Sequence, residues 1–175
     1  MAMLAAIAIA VGGTFTESAA AFVMAFGIWD LAFYGFLRLF IHWPASLLTW
    51  DLLFLLPVPW SGPVLAPILV SLSMIAGGWT VLWRASREQH VSLGRMHWAG
   101  LFAGGVMIVL AFTWGFRGLL AGGMPHDFHW PLFAAGEVCD IGAFLHALSP
   151  KGRTGVRHEP IDAPVATTLP GSRGS

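Results

Sequence analysis

Long apolar runs, separated by short clusters of Gly, Pro, His and charged residues, set the pattern of this chain. Four runs, over 18–41, 63–83, 96–116 and 130–148, are long enough to cross a bilayer as helices. A hydrocarbon core about 30 Å thick needs about 20 residues at ~1.5 Å rise each. Thr14-Phe15-Thr16-Glu17 opens the first run as a capping box, with Thr14 as the cap and Glu17 reaching back to it. His42-Trp43-Pro44 closes that run, Pro67 falls in the first turns of the second, and Pro131 sits near the first helical position of the fourth.

Two shorter apolar stretches do not fit a full span. Ala2–Val11 reads as helix but reaches only about 15 Å. Gly12-Gly13 breaks it, so it is expected to be an interfacial helix or a shortened spanning one. No Lys or Arg precedes Arg38, so the positive region of a signal peptide is missing and the segment is read as part of the mature protein. The run over 47–56, with Ser46 as its cap, stops at Pro57-Val58-Pro59. Two prolines one residue apart remove backbone donors and bar a regular helix. Backbone groups freed at membrane depth must be covered by protein or water, which predicts a proline-broken half-helix or re-entrant hairpin leading into the second span. From Ser149 onward the chain is polar and rich in Pro, Gly, Ser and Thr. The expected fold is therefore all-α: a membrane bundle of about four spanning helices over residues 1–148, followed by a disordered tail over 149–175.

Composition closes off the water-soluble alternatives. Hydrophobic residues make up 57% of the 175 positions, charged residues 10%, and the mean hydropathy is +0.73. A soluble domain carries about 25% charged residues, so a water-covered surface cannot be built from this chain; its partner is a lipid bilayer. Nine basic and nine acidic residues give zero net charge and no basic stripe, which excludes nucleic acid as a partner. The single Cys139 excludes an internal disulfide and any CxxC motif.

The positive charges orient the bundle. Arg84, Arg87 and Arg95 crowd one loop, and Lys151, Arg153, Arg157 and Arg173 lie in the tail, so both are expected to be cytoplasmic. The 117–129 loop, with Arg117, then lies outside. Trp43, Trp60 and Trp130 fall at the outer interface, and Trp83 and Trp98 at the inner one.

Ionisable side chains within a span cost about 2.5–3.5 kcal/mol each on insertion scales, so each needs a reason. Asp30, Tyr34 and Arg38 recur at helical spacing and predict a ladder on one face of the first span, either a proton path or an acid locked through Tyr34 to Arg38. Trp29-Asp30-Leu31 recurs as Trp50-Asp51-Leu52, with Phe33 and Phe54 at matching offsets, which suggests a short duplication or coincidence. Asp51, next to the proline break, is placed either to hold an ion or to fix the loop through free backbone amides. Glu137 and Asp140, three apart in the fourth span, are expected to face one partner. Two such carboxylates do not readily both ionise in a dry site, which suits proton exchange or a hard cation. The same pair could equally be hydrogen-bonded acids in a helix contact.

Six of the seven histidines sort by depth. His90, His97 and His146 fall near the inner surface, and His42, His126 and His129 near the outer one, with Asp127 between the last two. Antiparallel packing of the last two spans would bring His97 and His146 together, as ligands for a haem iron or a transition metal. His-Trp recurs at 42–43, 97–98 and 129–130, always at a helix end, which interfacial anchoring explains without a metal. Gly100 and Gly104 are spaced for close helix approach, and Ala135, Cys139 and Gly142 suggest a small-residue stripe opposite. No GxSxG, HExxH, P-loop or GxGxxG is present, so no enzyme is indicated.

The block from Trp50 to Pro67, with its Pro57-Val58-Pro59-Trp60 core, resembles a segment of uncharacterised bacterial multi-pass membrane proteins, and Gly27-Ile28-Trp29-Asp30 resembles its upstream companion. The resemblance covers the middle third of the chain. It implies a bacterial inner-membrane location and a first helix shortened relative to those proteins, and it carries no activity. Three readings follow, in this order: a non-catalytic subunit or accessory protein of a larger membrane assembly; a proton- or cation-coupled small transporter or channel using Asp30, Asp51, Glu137 and Asp140; and a membrane haem or metal protein using the histidines.

Overall fold

The computed structural model describes residues 2–54, 58–115 and 127–149. The expected disordered tail beyond Ser149, His126, Arg117 and Pro57 lie outside the described residues. Among the described residues five helices and one hairpin follow in order: α1 (Ala2–Val11), α2 (Phe15–Ile41), β1 (Trp50–Phe54), β2 (Trp60–Pro63), α3 (Leu65–Ala85), α4 (Arg95–Thr113) and α5 (Trp130–Leu148). Helices α2 to α5 are the four long and apolar enough to cross a membrane. The four expected spans are matched to within three residues at each end.

The capping box forms as the sequence predicts. The Glu17 amide donates to Thr14 Oγ1 at 3.3 Å, and Glu17 Oε2 accepts from the Gly13 and Thr14 amides at 2.9 and 3.2 Å. At the other end of α2, His42 takes the left-handed conformation that terminates helices (φ 56°). Arg38 Nη1 donates to the carbonyls of His42 and Pro44 at 3.1 and 2.9 Å, so its charge satisfies backbone acceptors freed by the helix end.

The proline-broken half-helix is not what forms. Residues 50–54 are a strand, paired antiparallel with β2 in the register Trp50 to Pro63, Asp51 to Gly62 and Leu52 to Ser61. Ser46 caps no helix; its carbonyl accepts from the Thr49 amide in a turn, and its own amide is held by Thr49 Oγ1. The same physics that barred a helix near Pro57 and Pro59 is met by a different element, because strand pairing satisfies the backbone groups across the hairpin. The two Trp-Asp-Leu segments are accordingly not structural copies, one being helical and the other extended.

Helices pack as two antiparallel pairs, α2 with α3 and α4 with α5, and the pairs touch each other sparsely. Glycine sets both crossings. A Cβ on Gly27 would lie 2.7 Å from the Ser71 carbonyl oxygen, and one on Gly78 would lie 2.5 Å from that of Ala20. Gly104 and Gly136 face each other, each Cβ position 2.8 Å from the other's carbonyl oxygen, and Gly100 opposes Ala143. The small stripe on α5 is therefore Gly136, Cys139 and Ala143, one residue round from the expected Ala135 and Gly142; a Cβ on Gly142 would meet nothing. Lipid-type packing needs such small residues, since apolar contact alone does not drive helices together in hydrocarbon.

Two apolar clusters sit at opposite ends. One joins Ala66, Ile108, Ala111, Phe112 and Phe133 beneath Trp60 of the hairpin, and the other joins Ala20, Val81 and Val91 near Phe144 and Leu148. Only 17–28% of the most apolar stretch of each spanning helix is buried within the protein. Trp79, Phe102 and Val138 stand more than 60% exposed on the outer faces. Such faces are stable only against lipid.

Candidate functional site

Between the two helix pairs lies an open-sided cavity of about 760 Å³, lined by residues of all four spanning helices. Its lining is apolar except for Thr16, Ser73, Thr80, Glu137 and Asp140, together with the indole of Trp98. Among the described residues, the two carboxylates are the ionisable groups on this wall, and no Lys, Arg or His lines it.

Glu137 and Asp140 lie one turn apart on α5 yet turn to different neighbours. Ser73 Oγ of α3 donates to Glu137 Oε2 at 2.7 Å, bridging the two helix pairs. Asp140 instead lies against α4, where the missing side chain of Gly104 leaves room for its carboxylate. Its Oδ1 is buried without a hydrogen-bond donor among the described residues. The expectation that both acids face one partner helix is thus replaced by a split, while both reach the same cavity. A buried acid oxygen without a donor is costly, so Asp140 is the member of the pair left unsatisfied beside the cavity.

The other intramembrane acids lie off the cavity wall. Asp30 Oδ2 accepts from Ser71 Oγ at 2.8 Å, and Asp51 Oδ2 accepts from Tyr34 OH at 2.8 Å. Asp51 Oδ1 also accepts from the Leu52 amide at 2.8 Å, as a loop-fixing carboxylate does. Asp30, Tyr34 and Arg38 therefore share a helix without bonding one another; each is spent on a different element, namely α3, the hairpin and the end of α2 itself.

The described histidines fall at the ends of the spanning helices and in the loop between α3 and α4. His97 Nε2 lies 3.1 Å from His146 Nδ1, bringing α4 and α5 together at their shared end. His97 Nδ1 accepts from the Gly94 amide at 3.1 Å, so in the neutral ring the proton is on Nε2 and points at His146. In that tautomer His97 has no free lone pair for a metal. His90 Nδ1 pairs with Glu17 Oε1 at 2.8 Å, tying the α3–α4 loop to the start of α2. His42 is exposed at the end of α2, and His129 lies tilted against Trp114, with ring centroids 4.6 Å apart and planes at 55°. Asp127 is exposed beside it. Among the described residues, no three His, Cys, Asp or Glu side chains gather as a metal-binding group.

Sequence reasoning missed the hydroxyl partners. Ser71 and Ser73, two apart on a helix, point to nearly opposite sides. Ser71 thus reaches Asp30 on α2 while Ser73 reaches Glu137 on α5. A pair of serines in an apolar helix was the available signal, since a hydroxyl in hydrocarbon seeks a partner. The Glu17–His90 pair was also legible in part, because a capping-box carboxylate leaves its second oxygen free. The chain matches no family model, no curated protein and no solved structure.

Proposed function

We propose that this membrane protein is a small proton- or cation-coupled transporter of the bacterial inner membrane, with Glu137 and Asp140 as the coupling groups. The observation that carries this reading is their place on the wall of a 760 Å³ cavity between two weakly joined helix pairs. Proton and cation compete for the same carboxylates, because each neutralises a charge that the apolar wall disfavours. Sparse contact between the pairs suits a rigid-body movement of one against the other, with the Ser73–Glu137 bond as the contact that occupancy would strengthen or release. Asp30 and Asp51 act in this reading as structural acids, since both are bound to hydroxyl donors away from the cavity.

The test is proton flux in proteoliposomes under an imposed pH or cation gradient. Flux above empty vesicles, lost in Glu137→Gln with Asp140→Asn while the variant keeps its unfolding temperature in detergent, is the expected result. Flux no greater than that of empty vesicles removes the reading.

An accessory-subunit role draws support from a second feature. Trp29, Phe33, Phe36 and Phe40 line a shallow groove of about 320 Å³ along the C-terminal half of α2, facing away from the bundle. Co-migration with other membrane subunits on native gels, lost when Phe33 and Phe36 become Ala, is what this role requires; a chain that migrates alone from its native membrane discards it.

A further inference from the structure

We infer that the cavity between the helix pairs is a binding site for an organic cation with an apolar body. This rests on the reading of Glu137 and Asp140 as coupling groups and names the cargo they would carry. Three features of the cavity select that chemistry. The first is size: about 760 Å³ lies within the ~300–1,000 Å³ of pockets that enclose drug-sized ligands and far exceeds what a bare metal ion or proton requires. The second is charge. The two carboxylates are unopposed by any cationic side chain on the wall among the described residues, so an anion would meet uncompensated repulsion and a cation would be neutralised.

The third is the character of the remaining wall. Val23, Leu101, Ile141 and Phe144 offer hydrocarbon surface, and Trp98 offers an aromatic face, so the body of the ligand is held by burial and its charge by the acids. A hydrated inorganic cation would lose its water shell here with few oxygens to replace it, whereas a diffuse charge on an apolar body loses little. The cavity thus separates organic from inorganic cations by the cost of desolvation. Gly77 lies on the same wall, where an added side chain would meet nothing within 4 Å and would project into open space.

The experiment uses the full chain in nanodiscs of zwitterionic lipid and two probes of the same shape and opposite charge, tetraphenylphosphonium and tetraphenylborate, each measured against empty nanodiscs. Saturable phosphonium binding, about tenfold or more tighter than that of the borate, is expected. Glu137→Gln with Asp140→Asn should abolish the preference for the cation. Gly77→Leu touches neither acid and relieves a helical glycine; it should weaken phosphonium binding about tenfold by filling the cavity while the fold is kept. Equal binding of both probes, no saturable phosphonium binding, or unchanged affinity in Gly77→Leu overturns the inference. Flux measured on the same protein separates it from the coupling reading: proton flux without phosphonium binding overturns the cargo alone, and charge-selective binding without flux overturns the coupling alone.

Discussion

Ser73 on α3 and Glu137 on α5 meet at 2.7 Å across the gap between the two helix pairs. Elsewhere the pairs touch mainly through the hairpin and the ends of the bundle. Replacing Ser73 with Ala leaves Glu137 without that donor beside an apolar cavity. A loss of about 0.5–1.5 kcal/mol in unfolding free energy is expected, since hydrogen bonds between membrane helices contribute modestly. In a double-mutant cycle with Glu137→Leu, which removes the acceptor, the two losses should be less than additive; full additivity shows that the bond contributes nothing.

The crossing of α4 and α5 depends on bare backbone at Gly104 and Gly136. Gly104→Val would drive a side chain into both the Asp140 carboxylate and the Gly136 carbonyl. It should lower stability by about 1–3 kcal/mol through overpacking. Gly142→Val, on the open side of α5, should change stability by less than about 0.5 kcal/mol. Thermal unfolding in one detergent compares the two directly, and equal effects contradict the crossing.

Tyr34 holds the hairpin to α2 through Asp51. Tyr34→Phe removes the donor and keeps the ring, so the hairpin should loosen while the helices persist. Hydrogen exchange at residues 50–54 and 60–62 should rise by about fivefold or more, matching about 1 kcal/mol of lost local stability. Unchanged exchange there would mean that the strand pairing holds the segment by itself.

His97 is fixed as the Nε2–H tautomer by the Gly94 amide. Nitrogen-15 spectra of the neutral protein should show His97 unprotonated at Nδ1, with the reverse tautomer counting against the bond from the Gly94 amide. His146→Ala should cost under about 1 kcal/mol, since the pair sits at an exposed helix end.

The helices and the hairpin show different degrees of legibility. Trp130–Leu148 is the segment expected from its apolar length and Pro131, and Thr14 with Glu17 announces the start of α2. Those signals are local, and the missing water at membrane depth forces each long apolar run to bond its own backbone. The run over 47–56 has no such local answer. An apolar stretch of that length reads equally as strand or helix, and its partner, β2, lies beyond two prolines.

What the amino-acid order determined alone is the solvent: too few charges for a water-facing surface and four runs long enough for lipid, hence a bundle of spanning helices. Which acids serve structure and which face the cavity was decided only in three dimensions. Asp30, Asp51, Glu137 and Asp140 are alike as sequence, each an acid in an apolar run. Their roles diverge because the partners Ser71, Tyr34, Ser73 and Gly104 come from other elements, brought within reach by glycine crossings and by the β1–β2 hairpin. A hydrogen bond acts over about 3 Å and has no signature in residue spacing along one element.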